Sequence, residues 1–213
     1  MKDSFRVEIT PDFTGQAAGF VEAALEKILP AVEWDYMPDT GGAARADLLS
    51  RYDAVLALSL YFLPESLSGV SRLKIIARWG VGYDRIDVAA CTQNDVLLAI
   101  TPRAVRRPVA EGILALIFSL AKDLRKLDRL CRSGLDVFET EPIAADDPLL
   151  KLENVIVSPH GIAWTQGLCR DNSEDACRNI IEVFEGRIPE HVVNREVLQR
   201  PGFQSKLAPW RTN

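Results

Sequence analysis

Over the first hundred residues, short apolar runs alternate with stretches whose apolar residues recur at helical spacing, a pattern that predicts strands joined by helices. Residues 5–9 read as a strand, 19–29 as an amphipathic helix and 32–36 as a second strand. Residues 43–50 read as helix, 54–58 as strand, 64–67 as one helical turn, 74–78 as strand, 87–93 as helix and 96–100 as a fifth strand. This order predicts an α/β fold with a largely parallel, flavodoxin-like sheet. From residue 108 to about 132 the pattern becomes one long helix, with Pro108 suited to its first turn, where a missing N–H is harmless. Val109, Ile113, Leu116, Ile117, Leu120, Leu124 and Leu127 form its expected apolar stripe, and Ser133-Gly134 its stop. Residues 135–138 and 154–158 follow as strands, and 166–185 as a helix with Gly186 just past its end. Residues 188–213 are expected to run extended and then pack back on the first part of the chain.

Composition narrows the functional classes. The 213 residues are 47% hydrophobic and 26% charged, with a net charge of −5, which provides no basic footprint for nucleic acid or anionic membrane. No apolar run approaches the roughly 20 residues that span a bilayer, and the first residues lack the apolar segment of a signal peptide. A cytoplasmic location is therefore expected. Cys91, Cys131, Cys169 and Cys177 show neither a CxxC pair nor zinc-finger spacing, and with only His160 and His191 as histidines no metal site is expected.

Two motifs carry candidate chemistry. Gly80-Val-Gly-Tyr-Asp-Arg85 follows a predicted strand and could grip an anion with backbone N–H groups, or be a structural turn. It is not a dinucleotide fingerprint, because the third glycine is replaced by Arg85. Glu141 and His160 fall at the ends of consecutive predicted strands, the edge where parallel sheets place ligands. A hydrogen bond from the imidazole N–H to the carboxylate would fix the imidazole tautomer and raise its pKa, as a proton donor to a carbonyl oxygen requires. The alternative is an ordinary loop carboxylate beside a satisfied histidine.

Three blocks together resemble the D-isomer-specific 2-hydroxyacid dehydrogenases, the family that includes phosphoglycerate, glycerate and D-lactate dehydrogenases. They are Ala77-Arg-Trp-Gly-Val-Gly-Tyr-Asp-Arg-Ile-Asp87, then Thr101-Pro-Arg-Ala-Val-Arg-Arg-Pro-Val-Ala-Glu-Gly112 with its helix, and Gly134-Leu-Asp-Val-Phe-Glu-Thr-Glu-Pro142 with Ser158-Pro-His-Gly-Ile-Ala-Trp164. Val192-Val-Asn-Arg-Glu-Val197 is similar to the family's closing strand. The resemblance implies His160 as general acid/base with Glu141 as its partner, and a substrate loop containing Arg78, Val81 and Gly82, the last two offering backbone N–H groups to a carboxylate. It implies Asp136 at the nicotinamide carboxamide, with Val109 of the interdomain helix and Gly161 also on the cofactor side. NAD or NADP would be the cofactor and a small 2-hydroxy or 2-oxo acid the substrate.

The resemblance also exposes a gap. Where Arg132-Ser-Gly134 joins Leu135, the family has most of a Rossmann-type dinucleotide domain, roughly 100 residues or more of βαβ units, with the glycine fingerprint and an arginine for the substrate carboxylate. The expected organisation is a substrate domain over residues 1–104 with 187–213 packed onto it, and a truncated dinucleotide-binding remnant over 105–186. Such a chain is expected to be inactive alone, and its two orphaned strands to make it a homodimer or an aggregate; a non-catalytic anion-binding or dimerising relic is the alternative.

Overall fold

The computed structural model describes residues 4–121, 133–152 and 154–210. Contacts divide the chain into two units, residues 1–104 with 169–213, and residues 105–168.

The first unit is built on strands β1 (Arg6–Ile9), β2 (Glu33–Tyr36), β3 (Ala54–Ala57), β4 (Ile75–Arg78) and β5 (Leu97–Ala99), all parallel, in the order β2-β1-β3-β4-β5. That is the flavodoxin-like order. Strands β3 and β5 are buried at every position and β4 at all but its last, which explains their continuous apolar runs. Edge strand β2 is mostly exposed and carries Glu33 and Asp35, which discourage further pairing. Helices α1 (Gly15–Ile28), α2 (Ala46–Leu49), α3 (Pro64–Leu67) and α4 (Val88–Gln93) connect the strands. Helix α1 begins four residues earlier than its periodicity indicates, whereas α2 is only one turn within the expected 43–50. Asp87 caps α4 by accepting from the N–H of Ala90 at 2.7 Å.

Glu8 is an anomaly in this core: a fully buried carboxylate on β1, opposite Asp35 in register, with neither oxygen hydrogen-bonded among the described residues. Burial pushes its pKa from 4.5 up to about 7; Asp35 adds to the rise, while Arg51 and Arg6 oppose it. The folded chain therefore holds this proton more tightly than the unfolded chain. Its stabilising contribution is complete below about pH 4.5 and is lost as pH rises through 7, a difference of about 2–3 kcal/mol. In urea unfolding, the Glu8→Gln variant should gain on the wild type by that amount between pH 5 and pH 8. Parallel profiles for the two proteins would refute the assignment.

The long helix α5 (Pro102–Ala121) departs from expectation. It starts six residues earlier, with Pro102 in the first turn, and Pro108 lies inside it. Thr101, buried before the helix, accepts from the N–H of Gly80 at 2.7 Å and donates to Asn172 at 2.7 Å, and so sets the start. The buried line within the second unit is also shifted. Gly112 is buried where a Cβ would lie 2.5 Å from Ile162 Cγ1, and Leu116 packs on Gly134. Ile113, Leu114, Ile117 and Phe118 of α5 are instead about half exposed or more. Leu124 and Leu127 lie outside the described residues.

Beyond α5 the second unit contains β6 (Ser133–Leu135) and β7 (Val155–Val157), paired in parallel with Leu135 opposite Val157. Ser133-Gly134, expected as a helix stop, is thus the start of a strand, and the strand expected over 135–138 ends at Leu135. Its continuation leaves the ladder because the Asp136 carbonyl accepts from the His160 N–H and the Phe138 N–H donates to Glu141. A parallel pair needs a crossover; here it includes a 3₁₀ turn, Pro148–Lys151, capped by Asp147.

Helix α6 (Gln166–Phe184) ends as predicted, with Gly186 in the left-handed region (φ 74°). The Gly186 N–H bonds to Val183 and that of Arg187 to Glu182, the paired bonds of a Schellman motif. The segment read as a closing strand, 192–197, makes a single antiparallel bridge from Val192 to Ala99 and then enters a 3₁₀ turn, Arg195–Gln199. The buried Asn194 side chain takes over the ladder's bonds: it accepts from Leu98 N–H at 2.9 Å and donates to the Val96 carbonyl at 2.9 Å. The tail finishes in α7 (Pro201–Leu207), packed in the first unit.

Candidate active site

In the first unit, Arg78 ends β4, and residues 79–85 form a loop at the carboxyl edge of the sheet. Arg78 does not project freely: its Nε donates to the Gly82 carbonyl at 2.7 Å and its Nη1 to the Trp79 carbonyl. Burial pulls its pKa down to about 10, with Arg85 adding to the fall and Asp12 and Asp84 opposing it. The guanidinium thus stays charged at neutral pH and stiffens the turn. Trp79 is anchored by its indole N–H to Ser173 at 3.0 Å. Val81 and Gly82 are exposed, and among the described residues neither backbone N–H has a protein acceptor. Two adjacent free amides held by a rigid turn suit an anionic oxygen.

In the second unit, β7 delivers His160 at its carboxyl end, and the crossover delivers Glu141. His160 Nδ1 lies 2.7 Å from Glu141 Oε2, and Glu141 Oε1 accepts from the Phe138 N–H at 2.8 Å. An ionised carboxylate only accepts, so Nδ1 carries the hydrogen, an arrangement that can leave Nε2 to exchange a proton. The imidazole is 60% exposed and the carboxylate 29%. His160 sits at φ 52°, a conformation that costs a non-glycine residue about 1–3 kcal/mol and persists only where neighbours enforce it.

Of the predicted residues, the second unit brings together His160, Glu141, Asp136 and Gly161. Asp136 Oδ1 accepts from the N–H groups of Gly161 at 2.9 Å and Ile162 at 3.1 Å. Val109 lies on an exposed face of α5. Arg78, Val81 and Gly82 form a separate group in the first unit. Sequence reasoning missed the supporting residues Thr101, Gly112, Asn194 and Ser173, whose partners are distant in the chain; a glycine at helical spacing from Pro108 and Leu116 was the one available signal.

Among the described residues no three His, Cys, Asp or Glu side chains could hold a metal ion. Among the described residues no helix is long and apolar enough to cross a membrane. The described residues of the second unit do not fit a dinucleotide: they include two three-residue strands and no strand–glycine turn–helix unit to cradle a pyrophosphate.

Residues 22–194 match the model of the D-isomer specific 2-hydroxyacid dehydrogenase catalytic domain. Glyoxylate reductase of Korarchaeum cryptofilum is 47% identical over 74 residues, covering 34% of this chain and 22% of the relative. Glyoxylate reductase of Thermococcus onnurineus is 36% identical over 110 residues, or 51% and 32% of the two chains. The matches thus span about a third or less of these relatives' length. A crystal structure of a Pyrococcus horikoshii protein superposes with a TM-score of 0.71 at 15% identity, covering 99% of this chain and 100% of that one. The NADPH-dependent glyoxylate/hydroxypyruvate reductase of Sinorhizobium meliloti, in complex with citrate, superposes with a TM-score of 0.67 at 14% identity, covering 91% and 96%. Fold, family match and the order of motifs along the chain agree, and the chain belongs to the D-isomer specific 2-hydroxyacid dehydrogenase family.

Proposed function

We propose that this chain carries the acid–base and carboxylate-binding elements of an oxidoreductase that interconverts a small 2-hydroxy acid and its 2-oxo acid, and that it does not turn over by itself. The observation that carries this reading is the 2.7 Å contact between His160 Nδ1 and Glu141 in a chain of this family. Glu141 holds the Nδ1 hydrogen, orients the ring and stabilises the imidazolium. Nε2 then donates a proton to the keto oxygen in one direction and takes it from the hydroxyl in the other. Within the first unit, the free N–H groups of Val81 and Gly82 suit a carboxylate. Relatives named as NADPH-dependent or NAD-bound support a nicotinamide partner for the family reaction. Because the residues here do not fit that group, no hydride step is assigned to this chain alone. Buried free thiols at Cys91, Cys169 and Cys177 support a cytoplasmic setting.

A second reading, a dimerising relic, is favoured by the exposed apolar side chains of Ile113, Leu114, Ile117 and Phe118 on α5, a face suited to a second copy of the chain. One preparation tests both. Protein of 23.6 kDa per chain should neither enhance NADH or NADPH fluorescence nor consume NADH with glyoxylate, and should sediment as a dimer at micromolar concentration. Turnover at that mass would overturn the claim of inactivity, and a monodisperse monomer would remove the dimer.

A further inference from the structure

His160 is braced in its left-handed conformation by three hydrogen bonds to one residue, Asp136, beside the bond from its own N–H to the Ser158 carbonyl at 3.0 Å. The backbone N–H of His160 donates to the Asp136 carbonyl at 2.8 Å, and the next two N–H groups, of Gly161 and Ile162, donate to Asp136 Oδ1 at 2.9 and 3.1 Å. Asp136 directly follows β6, whose last residue, Leu135, accepts from the Ser158 N–H at 2.8 Å. The strand pair is therefore locked in register up to the residue where the turn begins. A carboxylate accepting two successive amides is a strong, charge-assisted clamp, and it fixes the backbone from which the imidazole projects. Glu141 reaches the ring from the other side, anchored on the N–H of Phe138, two residues beyond Asp136. The segment 136–141 thus grips His160 at its backbone and at Nδ1.

We infer that Asp136 is the positioning residue for His160: by holding residues 160–162 it presents Nδ1 to Glu141 and so sets which imidazole nitrogen carries the hydrogen. The inference rests on the acid–base reading proposed above for its functional meaning, but not for its geometry. It gives the Asp136 carboxylate a task in the protein's own architecture, in addition to the contact with a nicotinamide carboxamide that family resemblance implies.

The test is the tautomer of His160 in the full chain, read by long-range proton–nitrogen NMR at a pH where the ring is neutral. With only two histidines present, His160→Gln assigns the signal. The wild type should show hydrogen on Nδ1. Asp136→Ala should transfer most of the population to the Nε2–H form, the preference of an unrestrained imidazole, and Asp136→Asn, which keeps an acceptor oxygen, should restore Nδ1–H. A folded Asp136→Ala protein with unchanged tautomer would overturn the inference, since a merely structural role would lower the melting temperature alone. Should that variant not fold, hydrogen exchange in the wild type decides: the Gly161 and Ile162 amides should be protected at least tenfold over unstructured rates, and free exchange would equally overturn it. Neither measurement uses cofactor or substrate, so failure of the dehydrogenase reading would show separately in the turnover assay.

Discussion

Replacing Asp53 by alanine will destabilise the first unit by about 3–5 kcal/mol, the usual cost of removing one partner from a buried charge cluster. Asp53 is almost fully buried and its carboxylate is completely occupied. Oδ1 accepts from Lys74 Nζ at 2.5 Å, while Oδ2 accepts from both Nε and Nη2 of Arg72, at 3.0 and 2.8 Å, and from the backbone N–H of Arg6 at 2.9 Å. Its removal leaves the Lys74 ammonium buried against the rings of Phe5 and Trp210 with no counter-charge. The midpoint of urea unfolding reads the loss. The double variant Asp53→Ala, Lys74→Met should recover much of it, because an apolar replacement of the pair avoids stranding a charge. A single-variant loss below about 1 kcal/mol would mean that the cluster is solvated rather than buried.

Truncating Phe203 to alanine should cost a similar amount, about 3–5 kcal/mol, although it lies only ten residues before Asn213. Phe203 is fully buried on α7, and that helix is held down by polar contacts on both sides. Arg200 Nε donates to Asp95 Oδ1 at 2.5 Å, and Lys206 Nζ is shared among the carbonyls of Asn94, Leu73, Asp95 and Val70. Burial among these carbonyls pulls the Lys206 pKa down to about 8. Because the tail also runs past β5 through Asn194, the expected result is a loss of cooperative stability for the whole sheet, seen as faster hydrogen exchange at Leu97 and Leu98. If exchange at those amides is unchanged, the tail is an appendage and not part of the core.

These two sites separate what a linear reading reaches from what it does not. The strands around Asp53 were legible because parallel strands buried on both faces must be apolar throughout, so 54–58, 74–78 and 96–100 stand out without any partner being known. The Asp53 cluster itself was not, because Arg72 and Lys74 gain their meaning only when β3 and β4 lie side by side. Helix α5 shows the same limit in another form. Its apolar residues cover more than one face, and periodicity selects Ile113, Leu116 and Ile117 alike; of these Leu116 is the one turned inward, together with Gly112, because Gly134 and Ile162 approach there. Pro108 favoured a helix start locally, yet buried Thr101 with its bonds to Gly80 and Asn172 moved that start to Pro102.

The candidate site divides in the same way. Residue chemistry and order along the chain singled out Glu141 and His160, because a carboxylate and an imidazole at consecutive strand ends are a pair that strand pairing can bring together. The sequence by itself determined the α/β class, the strand order's raw material, the family and this carboxylate–imidazole pair, all properties of local pattern and residue type. Only the tertiary structure decided the 2.7 Å contact, the left-handed turn at His160 and the clamp from Asp136. The physical reason is range: periodicity reports on neighbours within a few residues, whereas the bonds that set this turn join residues 25 and 26 apart, which meet only once β6 and β7 have paired.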